Sequence, residues 1–210
     1  MNRRNLLVAF LLTITFVSCS QRDPLAEQFI RETLAHRSEV DAAFRNDPDS
    51  PFNRDTSVRY EGIEWFPPDL KYVFHSKLYR YAHPETVVVY GTKGEGRTQL
   101  KYGYFLINFE GKSCILNTYK AAPSDPDPGL HRNPLSVWFT DETTGKETYE
   151  VGRYVDVGEE HADAAYSYTI NLNDAYNPYC AYSALYSCAI PRKEDHLEFA
   201  VRAGEMKYHH

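Results

Sequence analysis

The stretch TQLKYGYFLINFEGKSCILNTYK, residues 98–120, decides the fold. Two runs rich in aromatic and β-branched residues, 98–109 and 112–120, are separated only by Glu110-Gly111. Such runs favour strands, and a two-residue connection allows only an antiparallel hairpin. Working outward, further strand-like runs lie at 58–65, 71–78, 86–91, 134–140, 152–157, 165–172 and 196–203. Gly, Pro, Asn or Asp separates them at short intervals, as turns require. Residues 141–146, DETTGK, form another such turn, and AAPSDPDPGLHRNP (121–134), with four prolines, reads as a surface loop. The expected architecture is mainly β, an antiparallel β-barrel or sandwich. One amphipathic helix precedes it, because Leu25, Phe29, Ile30, Leu34, Val40 and Phe44 recur at helical spacing after an Asp23-Pro24 start. This helix is expected over about 24–45, and DPDSPFNRD (47–55) ends it.

The first residues carry an address. Arg3 and Arg4 precede an apolar run from Leu6 to Val17, which closes on Ser18 and Cys19. That is the layout of an export signal, and twelve apolar residues are too few to span hydrocarbon as a helix. Phe16-Val17-Ser18-Cys19 resembles a bacterial lipobox, with Phe16 where Leu is usual, which implies cleavage after residue 18 and lipidation of Cys19. The expected product is an exported protein, lipid-anchored to a bacterial membrane on its periplasmic or cell-surface side. Its parts are residues 19–50, a helix and linker, and 51–210, one β-rich domain. The formal charge of −6 becomes −8 once Arg3 and Arg4 are removed, which disfavours nucleic acid as a partner. Seventeen tyrosines in 210 residues favour a β-rich body with a half-wet binding face.

Few motifs carry chemistry. GTKGEGRT (91–98) falls one residue short of a phosphate-binding loop, with Arg97 where lysine belongs, and it leads into a strand rather than a helix, so it reads as a hairpin loop. The eight histidines form no zinc spacing, and no G-x-S-x-G elbow is present, so no metal, cofactor or serine nucleophile is expected. His209 and His210 read as a solvated tail. NDAYNPYCAYSALYSC (173–188) leaves two readings open. Asn177-Pro178 suits a helix start with Tyr179, Tyr182 and Tyr186 on one face, but a regular helix would hold Cys180 and Cys188 about 12 Å apart, beyond disulfide reach. A disulfide or a reactive Cys180 thiol are the alternatives.

Several blocks resemble a bacterial and archaeal domain-of-unknown-function family, number sixteen eighty-four in that series. They are DETTGKETYEVGRYVDV (141–157), NLNDAYNPYCAY (171–182), Cys188, Pro191 and AGE (203–205), with SPF (50–52), GIEWFPPD (62–69) and KYGYFLINFEG (101–111) upstream. Leu172, where an aromatic is usual, and Ala189-Ile190 depart from the pattern. The resemblance implies no reaction, but it directs attention to Arg153, Asp156, Asn171, Asn173, Tyr176, Asn177, Cys180, Tyr182 and Glu205. A guanidinium, amides, phenols and carboxylates suit a polar pocket with an aromatic wall. The leading expectation is a binding module in which Arg153, Asn173, Tyr176, Asn177, Cys180, Tyr182 and Glu205 hold a small polar or anionic ligand. The alternatives are a hydrolase or thiol-dependent enzyme built on Arg153, Tyr176 and Cys180, and a structural scaffold without ligand.

Overall fold

The computed structural model describes residues 23–121 and 135–208. The residues expected to form an export signal, Cys19, most of the proline-rich loop and His209-His210 lie outside the described residues. Helix α1 spans Pro24–Asn46, with the Asp23 side chain accepting from the Leu25 amide and proline in the first turn. Where the sequence favours a plain break, Ser50 caps a second short helix, α2, at Pro51–Arg54. Its Phe52 packs among Phe44, Tyr60 and Tyr182, so the linker is part of the core.

Strands β2 (Tyr79–Tyr90), β3 (Gly96–Phe109), β4 (Lys112–Ala121), β5 (Leu135–Asp141) and β6 (Arg153–Gly158) form one antiparallel sheet in chain order. The β3–β4 hairpin turns on Glu110 (φ 50°) and Gly111 (φ 83°), the paired left-handed residues of a tight turn. GTKGEGRT closes the β2–β3 hairpin. β2 is longer than 86–91 and runs through Pro84; it lies at the sheet edge, and its register shifts between Arg80 and Glu85, where a missing amide proton is tolerated. Strands β1 (Val73–Ser76) and β7 (Tyr168–Asn171) pair separately and cover the large sheet, burying Phe74 and Ile170 against Phe105, Ile107, Val137 and Phe139. The arrangement is sandwich-like, not a closed barrel.

A bulge gives the large sheet two working faces. Lys101 stands opposite Tyr119 and Gly103 opposite Thr118, so one extra residue in β3 reverses the alternation. Phe105 and Ile107 beyond the bulge enter the main core, whereas Arg97 and Gln99 before it look out of the other face, towards α1.

Two expected strands are replaced by something more specific. Residues 58–65 make only a Trp65–Glu205 bridge, because Gly62 (φ 101°) turns the chain first. Of 196–203, only His196–Leu197 is a strand, β8, parallel to β5. Beyond it, carbonyls that a neighbouring strand would satisfy are taken by one side chain. Arg153, 1% exposed, donates to the carbonyls of Val201 (2.8 Å), Ala203 and Glu205 (3.2 Å) and to Asp141 Oδ2 (3.0 Å). Asp141 Oδ1 in turn accepts from the Thr143 amide and hydroxyl and from the Val201 amide. The DETTGK turn and the C-terminal segment are thereby fixed to β6. Gly152 precedes the clamp at φ 121°, where a Cβ would stand 2.6 Å from the Phe139 carbonyl oxygen. Removing one partner of a buried, hydrogen-bonded pair leaves an uncompensated charge, so Arg153→Ala should lower unfolding free energy by about 3–5 kcal/mol. Urea denaturation checks this; a loss of about 1 kcal/mol or less, as for an exposed ion pair, contradicts the clamp.

Candidate functional site

Helix α1 stands off the large sheet, and the space between them is a cavity of about 840 Å³. His36, Val40, Ala43, Phe44 and Asp47 recur at helical spacing and give its roof. The opposite wall is sheet: Val89 of β2, Arg97 and Gln99 of β3, Tyr119 of β4, Trp138 of β5, and Tyr154 and Asp156 of β6. Trp65, Asp174 and residues 176–179 and 186–189 close the sides, backed by Glu205. The helix is held at this distance by the packing of Phe44 against Phe52, Tyr60 and Tyr182 near its C-terminal end and by polar ties along its length. Arg37 donates to the carbonyls of Phe66 (2.8 Å) and Asn173 (3.3 Å) and lies 4.6 Å from the Trp65 ring centre, while Asp41 accepts from the Tyr60 hydroxyl at 2.5 Å.

The wall is predominantly aromatic. Tyr119 and Trp138 stack at 5.3 Å, Trp138 meets Tyr154 at 5.6 Å, and Tyr154 meets Tyr176 edge-on at 5.9 Å. Hydroxyls are drawn away into the protein: Tyr119 donates to Asp195 Oδ2 (2.7 Å) and Tyr154 to the Ala189 carbonyl. Desolvation raises the Tyr119, Tyr154 and Tyr176 phenols well above their ordinary range, so the rings are neutral at physiological pH.

The sequence-identified residues divide between this cavity and its supports. Tyr176, Asn177 and Glu205 contribute to the lining; Arg153, Asn173, Cys180 and Tyr182 do not. Arg153 cannot present its fork to a ligand, because both terminal nitrogens are engaged by carbonyls and Asp141. This corrects its assignment as the anion-recognising group. Asn173, fully buried, accepts from the Asp69 amide (2.8 Å) and donates to the Asp69 carbonyl (2.9 Å). Tyr182 and the Asn177 amide both donate to Glu205 Oε2, at 2.5 and 2.7 Å. Sequence reasoning missed α1, Arg97, Gln99, Trp138 and the ring of Tyr119. Their signal was the second side of each strand: in LSVWFTD, Leu135, Val137 and Phe139 are core, and an aromatic at Trp138 on the alternate face calls for cover.

Burial lifts the Glu205 carboxyl to about 7, with the Tyr182 and Asn177 hydrogen bonds and the charges of Arg153 and Arg37 opposing. The folded chain therefore holds a proton that the unfolded chain loses from about pH 4.5, and stability should fall as pH rises from there to about 7. Glu205→Gln removes that titration. Urea midpoints at about pH 5 and about pH 8 should show the wild type losing stability relative to this variant; parallel changes would contradict a buried, proton-binding Glu205.

Residues 179–188 form no regular helix. A single 3-10 turn, Tyr179–Ala181, is followed by a loop tied to the β2–β3 turn through Thr92 N–H to the Cys188 carbonyl (3.0 Å) and Lys93 Nζ to the Leu185 carbonyl (2.9 Å). That return brings Cys188 Sγ within 3.2 Å of the Cys180 amide, with both thiols free. The side-chain interaction with Cys188, helped by Tyr149, lowers the Cys180 thiol, and the same interaction raises that of Cys188. The neighbours of the Cys180 sulfur include no histidine among the described residues, which leaves a thiol enzyme without a base. Burial raises the Cys114 thiol. Iodoacetamide at neutral pH should therefore modify Cys180 before Cys114, and Cys188→Ala should move the pH midpoint of the Cys180 reaction upward. Equal rates and an unmoved midpoint would contradict a Cys180 thiol lowered by Cys188.

The family described as "Protein of unknown function (DUF1684)" matches residues 58–206. Among solved structures, the solution NMR structure of an uncharacterised protein from Haloarcula marismortui is 29% identical, with a TM-score of 0.61, covering 86% of this chain and 95% of that one. No curated protein matches the sequence. Among the described residues no group of side chains is arranged to hold a metal ion, and no helix is long and apolar enough to cross a membrane.

Proposed function

Since the chain belongs to the DUF1684 family, whose description carries no activity, we propose from the cavity that it is a non-catalytic module binding a small, largely apolar ligand between α1 and the sheet. One observation carries this reading: a space of about 840 Å³, walled by the rings of Phe44, Trp65, Tyr119, Trp138, Tyr154, Tyr176, Tyr179 and Tyr186. A cleft between two elements with a predominantly aromatic lining is the usual form of a small-molecule site, and this volume suits a compound of drug-like size. The rings are held by contacts with one another and by hydrogen bonds on their far side, so the site is preformed and little ordering opposes binding.

The neutral fluorophore N-phenyl-1-naphthylamine should bind with enhanced emission and quench tryptophan. Ala43→Trp, on the exposed side of α1 where the helix roofs the cavity, should weaken that binding by roughly tenfold or more without changing the unfolding midpoint. Undiminished binding in this variant would place the probe elsewhere. The membrane partner belongs to the same proposal. The lipobox-like Phe16-Val17-Ser18-Cys19 supports export and lipid anchoring, which would set the cavity beside a membrane surface. In a bacterial host, label from an alkynyl palmitate should enter the wild type and not Cys19→Ser. Equal labelling of the two would exclude Cys19 as the anchor.

A further inference from the structure

The cavity contains one carboxylate whose surroundings differ from those of every other charged group near it. Asp156 projects from β6 two residues after Tyr154, on the same face of the strand. Its two oxygens each lie 3.3 Å from the Tyr176 hydroxyl, a weak contact, and no cation among the described residues takes part in its interactions. It is exposed to the cavity space, yet the surrounding protein raises its carboxyl above the usual range, with only Tyr176 acting the other way.

The neighbouring charges are accounted for. Arg97, the arginine lining the cavity, is held by Glu95 at 2.7 Å and the Ser187 carbonyl at 2.9 Å. Asp174 accepts from Asn171 at 2.7 Å and feels His36 and Arg37. Glu205 is fully buried and faces the charges of Arg153 and Arg37. Asp47 sits at the end of α1 and accepts from the Asp49 amide at 2.8 Å. Asp156 offers the cavity a negative charge with no cation partner among the described residues, and it does so beside the Trp138–Tyr154–Tyr176 ring series.

We propose that the ligand is an organic cation, an amine or quaternary ammonium with an apolar body, whose charge rests between the Asp156 carboxylate and the faces of Trp138, Tyr154 and Tyr176. The inference rests on the cavity-binding reading above and reverses the sign of ligand expected from Arg153. Aromatic faces carry negative quadrupole density, which attracts a weakly hydrated cation and does nothing for a carboxylate or phosphate. The aromatic cages that recognise quaternary ammonium use the same elements, several rings and an acid. A preformed ring wall around a carboxylate therefore selects charge by sign, and selects an apolar body by area.

The test uses three probes on the full chain. N-phenyl-1-naphthylamine reports entry to the cavity, benzyltrimethylammonium is the cationic competitor, and phenylphosphonate is the anionic one. Benzyltrimethylammonium should displace the fluorophore and quench tryptophan saturably. Asp156→Asn should weaken that competitor by roughly tenfold more than it weakens the neutral fluorophore. Because Asp156 is exposed and, among the described residues, its side chain bonds to Tyr176 alone, this variant is expected to fold, and its unfolding midpoint serves as the control. If the fluorophore binds but the cation fails to compete, competes equally in Asp156→Asn, or competes less well than phenylphosphonate, the cation assignment is overturned and the cavity reading stands. If the fluorophore itself fails to bind, both fall.

Discussion

One buried arginine holds the rest of this structure in place. Arg153 joins β6 to the carbonyls of Val201, Ala203 and Glu205 and to Asp141, and Asp141 fixes the turn that follows β5. Beyond Leu197 the C-terminal segment belongs to no strand longer than the single Trp65–Glu205 bridge, so the Arg153 fork supplies much of what holds its backbone across the fold. The segment's position has consequences at each end. Val201 and Ala203 complete the main core, and Glu205 bridges Trp65 and receives Tyr182 and the Asn177 amide. From Glu205 the constraint passes to residues 176–182, and from there to the aromatic cluster that seats Phe44 of α1.

The clamp and the cavity are therefore two sides of one design. The core face of the sheet is closed by apolar packing of β1, β7 and the C-terminal segment. The other face is left without direct packing, because the β3 bulge turns Arg97 and Gln99 outward and α1 is held above them by the Arg37 and Asp41 ties and by Phe44 in its ring cluster. A helix packed directly on the sheet would bury its apolar stripe there. Instead the stripe of Val40, Ala43 and Phe44 faces a space, and rings on the sheet face it. Leaving that much apolar surface unpacked costs stability unless a ligand covers it, which is the physical reason to regard the site as functional.

Much of the architecture was legible in the sequence because it is local. The 98–120 hairpin, the α1 start at Asp23-Pro24 and the G-R-Y block are short-range patterns with direct structural counterparts. The site was legible only in part, because proximity across the chain is not. Asn177, Tyr176 and Glu205 stood out, but so did Arg153, Asn173 and Tyr182, whose distinctive chemistry serves the scaffold. A polar residue in a specific motif has the same signature whether it meets a ligand or a backbone carbonyl. The strand expected at 58–65 failed for a related reason: alternation was present, but its partner was a single bridge at Trp65 set by Gly62 and the distant Glu205.

The central claim is that the space under α1 is a binding site preformed by the clamped scaffold. A crystal structure of the chain with N-phenyl-1-naphthylamine bound tests it most directly. The account predicts ligand density against Trp138, Tyr154 and Tyr176 beneath Val40 and Ala43, with the Arg153 contacts unchanged. Density on another surface, or α1 collapsed onto the sheet with the rings repacked and no space between them, would contradict it.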